Sequence, residues 1–190
     1  MLSAAKHAML NSDATKPDDT IRLAGVVEDS IVDGSGLRYA IFVQGCPHNC
    51  TGCHNPHTHD FAGGKDVTIS SLLRQIEQNP LLTGVTFSGG EPFCQIEPLI
   101  KIAKFCHAHN LDVWCYTGYT LEELSANASI AVKTLLGEID VLVDGKYRED
   151  LRDISLPFRG SSNQRLIDLK QTEKQQRIVL VSSTDDVNNT

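Results

Sequence analysis

Short apolar segments alternate along this chain with segments in which apolar residues recur every three or four positions. The strand-like segments are residues 21–27, 39–44, 84–87, 112–116, 139–143 and 177–181. The helical patterns are residues 69–78, 96–106 and 121–135. This order predicts parallel βα units with right-handed crossovers. A closed eight-unit barrel needs about 250 residues, and the chain has 190. We therefore expect an α/β fold that forms a partial (β/α) barrel of about five or six parallel strands.

The beginning of the chain differs from the rest in composition. Residues 1–20 are mostly small and polar, with Pro17 before two aspartates, which predicts a loose N-terminal tail. We expect residues 21–190 to form a single domain, because this length can bury one sizeable core. The sequence shows no internal repeat and no low-complexity tract.

Charge and hydropathy exclude several classes of function. The chain has 17 basic and 24 acidic side chains, a formal net charge of −7, which argues against broad binding to nucleic acid or anionic membranes. No apolar run reaches the length of about 20 residues that spans a bilayer, and residues 1–20 lack the apolar centre of a secretory signal. We therefore expect a cytoplasmic protein. Its six cysteines are then more often metal ligands or reactive groups than disulfides.

Three of these cysteines are clustered in one loop. Cys46, Cys50 and Cys53 follow a C-x3-C-x2-C spacing within residues 45–66, which show no periodicity. Three thiolates can bind three irons of a [4Fe–4S] cluster and leave the fourth iron open, whereas a structural cluster normally has four cysteine ligands. The alternative is a zinc site with three cysteines and one histidine. The nearby histidines are His48, His54, His57 and His59. The spacing alone leaves both alternatives open.

A second motif follows the strand-like segment at residues 84–87. Residues 88–92 read Ser-Gly-Gly-Glu-Pro, and Ser88, Gly89, Gly90 and Glu91 are candidate cofactor-binding residues. Glycines let the backbone approach a ligand closely, and free backbone N–H and C=O groups at a strand end can bind the ammonium and carboxylate of an amino acid. A lone Gly-Gly-Glu is usually only a turn. Its position one βα unit after the cysteine loop makes the combination specific.

The combination resembles the radical S-adenosylmethionine (SAM) superfamily. The resemblance implies that Cys46, Cys50 and Cys53 bind one [4Fe–4S] cluster, and that SAM chelates the open iron through its amino and carboxylate groups. It implies that residues 88–91 hold the methionyl group. The residues around the third cysteine are implied to offer further contacts to SAM: Gly52, Cys53 and His54. The implied reaction is reductive cleavage of SAM to methionine and a 5′-deoxyadenosyl radical. Many members have an aromatic residue where this chain has Gly52.

Other stretches resemble the glycyl-radical-enzyme activases within this superfamily. Residues 32–38 read VDGSGLR and lead into FVQGCP at residues 42–47. Three stretches resemble more narrowly the activating proteins of anaerobic ribonucleoside-triphosphate reductase: WCYTGY at 114–119, VDGKY at 143–147 and FRGSSNQ at 158–164.

This narrower resemblance implies an enzyme that generates a glycyl radical on anaerobic ribonucleoside-triphosphate reductase, its protein partner. A reduced flavodoxin-type protein is the implied electron donor. Asp144 is implied to lie near the SAM carboxylate, and the alternative is a turn-forming Asp-Gly pair. The alternative functions are activation of another glycyl-radical enzyme, radical SAM chemistry on a small molecule, and a zinc-stabilised binding module.

The polar stretch at residues 159–165 is a candidate partner-binding loop. It reads RGSSNQR and lies outside any clear helix. Its donors and acceptors suit the backbone of an inserted peptide, with Arg159 and Asn163 as candidate contacts, and a plain surface loop is the alternative. The three scattered cysteines are expected to be buried small apolar side chains: Cys94, Cys106 and Cys115. We expect no catalytic residue beyond the ligands of the cluster and of SAM.

Overall fold

The computed structural model describes residues 19–127 and 129–181. The strands in these residues are β1 (Thr20–Ser30), β2 (Arg38–Val43), β3 (Lys65–Thr68), β4 (Gly84–Gly89), β5 (Asp112–Tyr116), β6 (Val141–Asp144) and β7 (Arg165–Asp168). The α-helices are α1 (Ile69–Gln78), α2 (Ile96–Ala108), α3 (Leu121–Ala126), α4 (Ile130–Gly137) and α5 (Leu169–Gln175). Short 3-10 helices occupy residues 56–58, 92–94 and 149–151. The α/β class predicted from the sequence is confirmed.

The described strands form one mixed sheet in the order β3-β1-β2-β4-β5-β6-β7. The four central strands β2, β4, β5 and β6 pair in parallel, as the alternation of segments predicts. β1 pairs antiparallel with both β2 and β3, and β7 pairs antiparallel with β6. The prediction of an all-parallel sheet is therefore wrong for the strands that flank the four central ones, β1 and β3 on one side and β7 on the other. One reason is the loop at residues 31–37, which is too short for the crossover that a parallel β1–β2 pair would need.

The sequence prediction lacks the two outermost strands, β3 and β7. β3 has the sequence KDVT and β7 the sequence RLID, and segments this short and this polar carry no clear strand pattern. Residues 177–181, predicted to be a strand, do not form one in the structure. That segment instead makes an isolated bridge between Leu180 and Ile167 of β7.

The sheet and the five described helices share one apolar core. α1 buries Ile69, Leu72 and Ile76, which recur at the spacing of a single helix face. The helical pattern predicted over residues 121–135 is in fact two helices. A capping box between Thr120 and Glu123 starts α3, and α3 ends because the backbone at residue 127 is extended. Ala128 lies outside the described residues.

Residues 1–18 of the expected N-terminal tail lie outside the described residues. Its last residue, Thr20, is the first residue of β1 and pairs with Thr68. Within the described ranges, no helix combines the length and the apolarity needed to cross a bilayer.

The carboxyl ends of β2, β4, β5 and β6 lie side by side, because the four strands are parallel neighbours. β2 leads into the loop with the three cysteines, and β4 ends in the glycine motif at residues 88–91. β5 leads into residues 117–119, and β6 ends at Asp144. The sheet therefore brings every predicted cofactor motif to one end of the domain.

Candidate active site

The loops at this end of the sheet surround a cavity of about 350 Å³. The predicted site residues that line it are Cys46, Cys50, Cys53, His54, Ser88, Gly89, Gly90 and Arg159. Four predicted site residues stand next in sequence to lining residues: Gly52, Glu91, Asp144 and Asn163. Further lining residues include Tyr116, Thr117 and Gly118, for which the sequence left open a place beside SAM or a turn at a helix entry, and His48, which it offered only as a zinc-ligand candidate. Tyr147, Phe158 and Gln164 also line the cavity and had no assigned role in the sequence analysis.

The three loop cysteines are free and half-buried in the wall of this cavity. Left-handed backbone at Asn49 (φ 48°) and Gly52 (φ 71°) curls the loop, and Cys53 donates its N–H to the Cys50 carbonyl at 3.2 Å. Burial raises the pKa of the Cys46 and Cys50 thiols, so binding of iron would release their protons. Three soft thiol donors on the wall of one cavity fit an iron–sulfur cluster in donor type and number.

Gly52 faces away from the cavity. A Cβ at this position would lie 2.8 Å from the carboxyl carbon of the exposed Glu149 side chain, and the left-handed backbone (φ 71°) disfavours any residue other than glycine. An aromatic ring reaches the cavity from another loop, because Tyr147 packs against His54 with ring centroids 4.9 Å apart. The sequence analysis did not predict that Tyr147 lines the cavity. The signal that could have indicated it is the VDGKY stretch, to which Tyr147 belongs.

The glycine turn after β4 packs against the backbone of β2. Gly90 donates its N–H to the Val43 carbonyl at 2.7 Å, and Glu91 donates its N–H to the Gly45 carbonyl at 2.8 Å. A Cβ at Gly90 would lie 2.9 Å from the carbonyl carbon of Gly45. The sequence predicts that these glycines let the backbone approach a ligand. In the structure, Gly90 also approaches Gly45, the residue that precedes Cys46.

We expect Gly90→Ala to displace the start of the cysteine loop. The added methyl group would press on the Gly45 carbonyl, and overpacking of this kind costs about 1–3 kcal/mol. Urea unfolding of the iron-free protein measures this loss. Gly137→Ala is the matched control, because a Cβ there would meet nothing within 4 Å. Equal stability of the two variants would contradict the packing argument.

Glu91 is fully buried and points its carboxylate between the loops. It accepts hydrogen bonds from the His48 ring at 2.7 Å, the Thr117 hydroxyl at 2.9 Å, and the N–H groups of Gly118 at 2.9 Å and Phe93 at 3.0 Å. A buried carboxylate needs this number of donors to offset its loss of hydration. The Glu91 side chain therefore joins neighbouring loops of the chain, and the residues of this turn that line the cavity are Ser88, Gly89 and Gly90.

Asp144 is also buried, and its carboxylate is shared between two donors. The Leu121 N–H donates at 2.8 Å and Arg165 donates from Nε at 2.9 Å and from a second nitrogen. Arg165 also binds the carboxylate of Glu122, and these hydrogen bonds lower the pKa of Glu122 to about 2. The Arg165 guanidinium thus supplies the positive charge that pairs with the buried Asp144 carboxylate.

The predicted partner loop closes one side of the cavity. Gln164 ties it to the end of β6 by donating to the Gly145 carbonyl at 3.1 Å, and Asn163 donates to the Lys146 carbonyl at 2.9 Å. Arg159 lines the cavity. Its Nε is buried and has no hydrogen-bond partner in the described part of the chain, so this N–H remains available to a bound group.

The scattered cysteines differ in their surroundings. Cys106 and Cys115 are buried, as predicted, whereas Cys94 is exposed. The prediction for Cys94 is wrong because this residue lies in a short 3-10 helix and not on the buried stripe of α2.

Comparisons with known proteins agree on one family. The family described as "4Fe-4S single cluster domain" matches residues 32–167, which favours the iron–sulfur interpretation over the zinc interpretation. The anaerobic ribonucleoside-triphosphate reductase-activating protein of Pasteurella multocida (strain Pm70) is 36% identical over 143 residues, 70% of this chain and 89% of the relative. The proteins of that name from Escherichia coli (strain K12) and Enterobacteria phage T4 are 38% and 33% identical, over 90% and 86% of their own lengths and 70% and 71% of this chain.

Among solved structures, the crystal structure of QueE from Escherichia coli matches with a TM-score of 0.42 at 17% identity, over 53% of this chain and 54% of that chain. The family assignment rests on the sequence matches, which confirm the resemblance predicted from the motifs. This chain belongs to the family of anaerobic ribonucleoside-triphosphate reductase-activating proteins.

Proposed function

We propose that this chain is a radical SAM activase that cleaves SAM reductively and generates a glycyl radical on anaerobic ribonucleoside-triphosphate reductase. The observation that carries the proposal is the placement of three free thiols around one cavity, beside the glycine turn and at the carboxyl ends of parallel strands. Three cysteines leave one iron of a [4Fe–4S] cluster without a protein ligand. That count suits a catalytic cluster that binds SAM.

The residues of the cavity have distinct proposed roles. Cys46, Cys50 and Cys53 hold the cluster, and the backbone of residues 88–90 binds the methionyl group of SAM. A cluster held by these three thiols would supply the electron for reductive cleavage of SAM, whose nucleoside part would provide the radical that takes a hydrogen atom from the target glycine. His54 and Tyr147 pack together as one wall of this region. Glu91 and Asp144 hold the loops around the site, because both carboxylates are engaged by donors of the chain itself.

The end of the sheet that carries the cavity is suited to receive a segment of a protein substrate. We propose that the strands of the sheet curve into a partial barrel whose mouth is the cavity, and that the glycine-bearing segment of the reductase enters there. Ile31 and Val32 precede the turn at residues 33–36 and are each 72% exposed, and Val32 lines the cavity. Exposed apolar side chains at such a mouth are suited to contact with a protein. A flavodoxin-type electron donor and a cytoplasmic location belong to the same proposal.

Arg159 is proposed to bind the backbone of the inserted segment through its free N–H, with Asn163 holding the loop in place. Arg159→Ala is therefore expected to lower the glycyl-radical yield on the reductase about tenfold, the effect of one lost hydrogen bond, and Asn163→Ala is expected to lower it less. Cleavage of SAM without the reductase should be unchanged, because it does not need the segment.

Arg152→Ala is the control for this loop, since Arg152 is an exposed arginine of the same connection. A parallel fall of SAM cleavage and glycyl-radical yield in Arg159→Ala would place Arg159 in the SAM site. Equal yields in Arg159→Ala and Arg152→Ala would remove it from the partner site.

The proposed chemistry is tested by the products of SAM. The protein is reconstituted with iron and sulfide without oxygen, reduced, and given SAM, and methionine and 5′-deoxyadenosine are quantified. We expect equal amounts of the two, formed only with reductant. Absence of cleavage by a protein that holds a complete cluster would contradict the proposed reaction.

A further inference from the structure

The carboxylate of Glu91 joins three loops that come from different strands. His48 reaches it from the cysteine loop after β2, and Thr117 and Gly118 reach it from the loop after β5. Glu91 itself follows β4 and has no exposed surface. Loss of one donor leaves part of a buried charge unpartnered, which is costly. The position of each loop is therefore tied to the positions of the other two.

His48 is held on three sides. In sequence it lies midway between Cys46 and Cys50. Only 6% of its side chain is exposed. Its Nε2 lies 2.7 Å from a carboxylate oxygen of Glu91, and its ring meets the ring of Tyr119 edge-on with centroids 4.5 Å apart. Gly118 covers it so closely that a Cβ there would lie 2.7 Å from the His48 Cγ.

The cysteine loop has few other attachments to this end of the sheet. Gly45 and Cys46 donate their N–H groups to the carbonyls of Thr58 and His59, which belong to the same long connection. Among the described side chains of residues 46–54, His48 is the one that hydrogen-bonds to the turns after β4 and β5. The backbone bond from the Glu91 N–H to the Gly45 carbonyl holds the start of the loop beside the glycine turn, and His48 supplies the side-chain attachment that holds the loop further along, between Cys46 and Cys50 in sequence.

We propose that His48 is a positioning residue for the cluster, acting through its hydrogen bond to Glu91. The bond fixes the cysteine loop over the strand ends, so that the thiols of Cys46 and Cys50 stay in place beside the SAM-binding turn. This inference rests on the proposed cluster at the three cysteines. It assigns a role to a histidine that, in the sequence alone, was only one of four candidates for a zinc ligand.

The test compares the release of iron to bathophenanthroline disulfonate from anaerobically reconstituted full-length proteins. His48→Ala is expected to release iron about tenfold faster than the wild type, the effect of one lost charge-assisted hydrogen bond. His48→Gln should stay within about threefold of the wild type, because the glutamine amide can donate from nearly the same place as Nε2. His57→Ala is the control, an exposed histidine of the same connection that should behave like the wild type.

A second variant displaces His48 without changing it. Gly118→Ala places a methyl group against the imidazole ring, so it should also accelerate iron release. In the double variant the missing ring makes room for that methyl group, and iron release should be no faster than in His48→Ala alone. The electron paramagnetic resonance spectrum of the reduced cluster should change less when SAM is added to His48→Ala than to the wild type, with His48→Gln again close to the wild type.

Wild-type iron release in His48→Ala would overturn the inference, and so would a His48→Gln variant as labile as His48→Ala. Additive effects in the double variant would show that Gly118 acts independently of His48. Hydrogen exchange of the iron-free proteins supplies a readout that does not depend on the cluster. Amides of residues 46–54 should exchange faster in His48→Ala and Gly118→Ala, and unchanged exchange would contradict the proposal. A wild type that binds no iron would contradict the proposed function and the role of His48 toward the cluster, and the exchange difference would then show only that His48 fixes the cysteine loop.

Discussion

Cys50→Ala is expected to reduce the iron bound after anaerobic reconstitution to background, and SAM cleavage is expected to disappear with it. Cys50 is the central cysteine of the loop and lines the cavity. Its loss leaves two thiolates for a cluster that already has fewer protein ligands than a structural one. Iron and sulfide analysis, together with the visible absorption of the purified protein, measures the effect.

Cys94→Ser is the sharpest control for this experiment. Cys94 is exposed as a residue, although partial burial of its thiol group and the nearby charges of Glu91 and Cys46 raise the thiol pKa to about 11. Unlike Cys50, it is not among the residues that line the cavity. Iron content near the wild-type value is expected for this variant. Loss of the cluster in Cys94→Ser, with retention in Cys50→Ala, would contradict the ligand assignment.

Arg165→Ala is expected to lower the free energy of unfolding by about 3 kcal/mol, because it leaves the buried Asp144 carboxylate without its cation. Only 1% of the Asp144 side chain is exposed, and the Leu121 N–H would be its one remaining donor among those described. Urea unfolding of the iron-free protein measures the change. Asp144→Asn in the same background should recover part of it by removing the charge.

Arg148→Ala is the matched control, since Arg148 pairs with Asp150 and more than half of each side chain is exposed. Surface pairs of this kind contribute about 1 kcal/mol or less. Similar destabilisation by Arg165→Ala and Arg148→Ala would show that burial of Asp144 has no special cost.

The central βα units could be predicted from periodicity, and the outer strands could not. The pattern over residues 69–78 and the segment at 112–116 gave α1 and β5 with their observed bounds, because each has strong local signals. β7 has only Leu166 and Ile167 as apolar residues, and its pairing with β6 is decided by contacts distant in sequence. The short connection between β1 and β2 was the local signal that these two strands run antiparallel, and no comparable signal showed the direction of β7.

The candidate site divides in the same way. The cysteine spacing and the glycine turn are local motifs, and the parallel strands bring both to one cavity. The partners of Glu91 and Asp144 could not be predicted, since His48 and Arg165 are 43 and 21 residues away from them. A carboxylate at a strand end has the same sequence signature whether it faces a ligand or the chain itself.

The most direct test of the proposed function is electron paramagnetic resonance of anaerobic ribonucleoside-triphosphate reductase after incubation with the reconstituted protein, SAM and reductant. A glycine has no Cβ, so its α-carbon radical can be planar and delocalised over both adjacent peptide groups. We expect a glycyl-radical signal on the reductase that requires SAM and is absent with Cys50→Ala. A protein that holds its cluster and cleaves SAM but leaves the reductase without this signal would contradict the proposed activity.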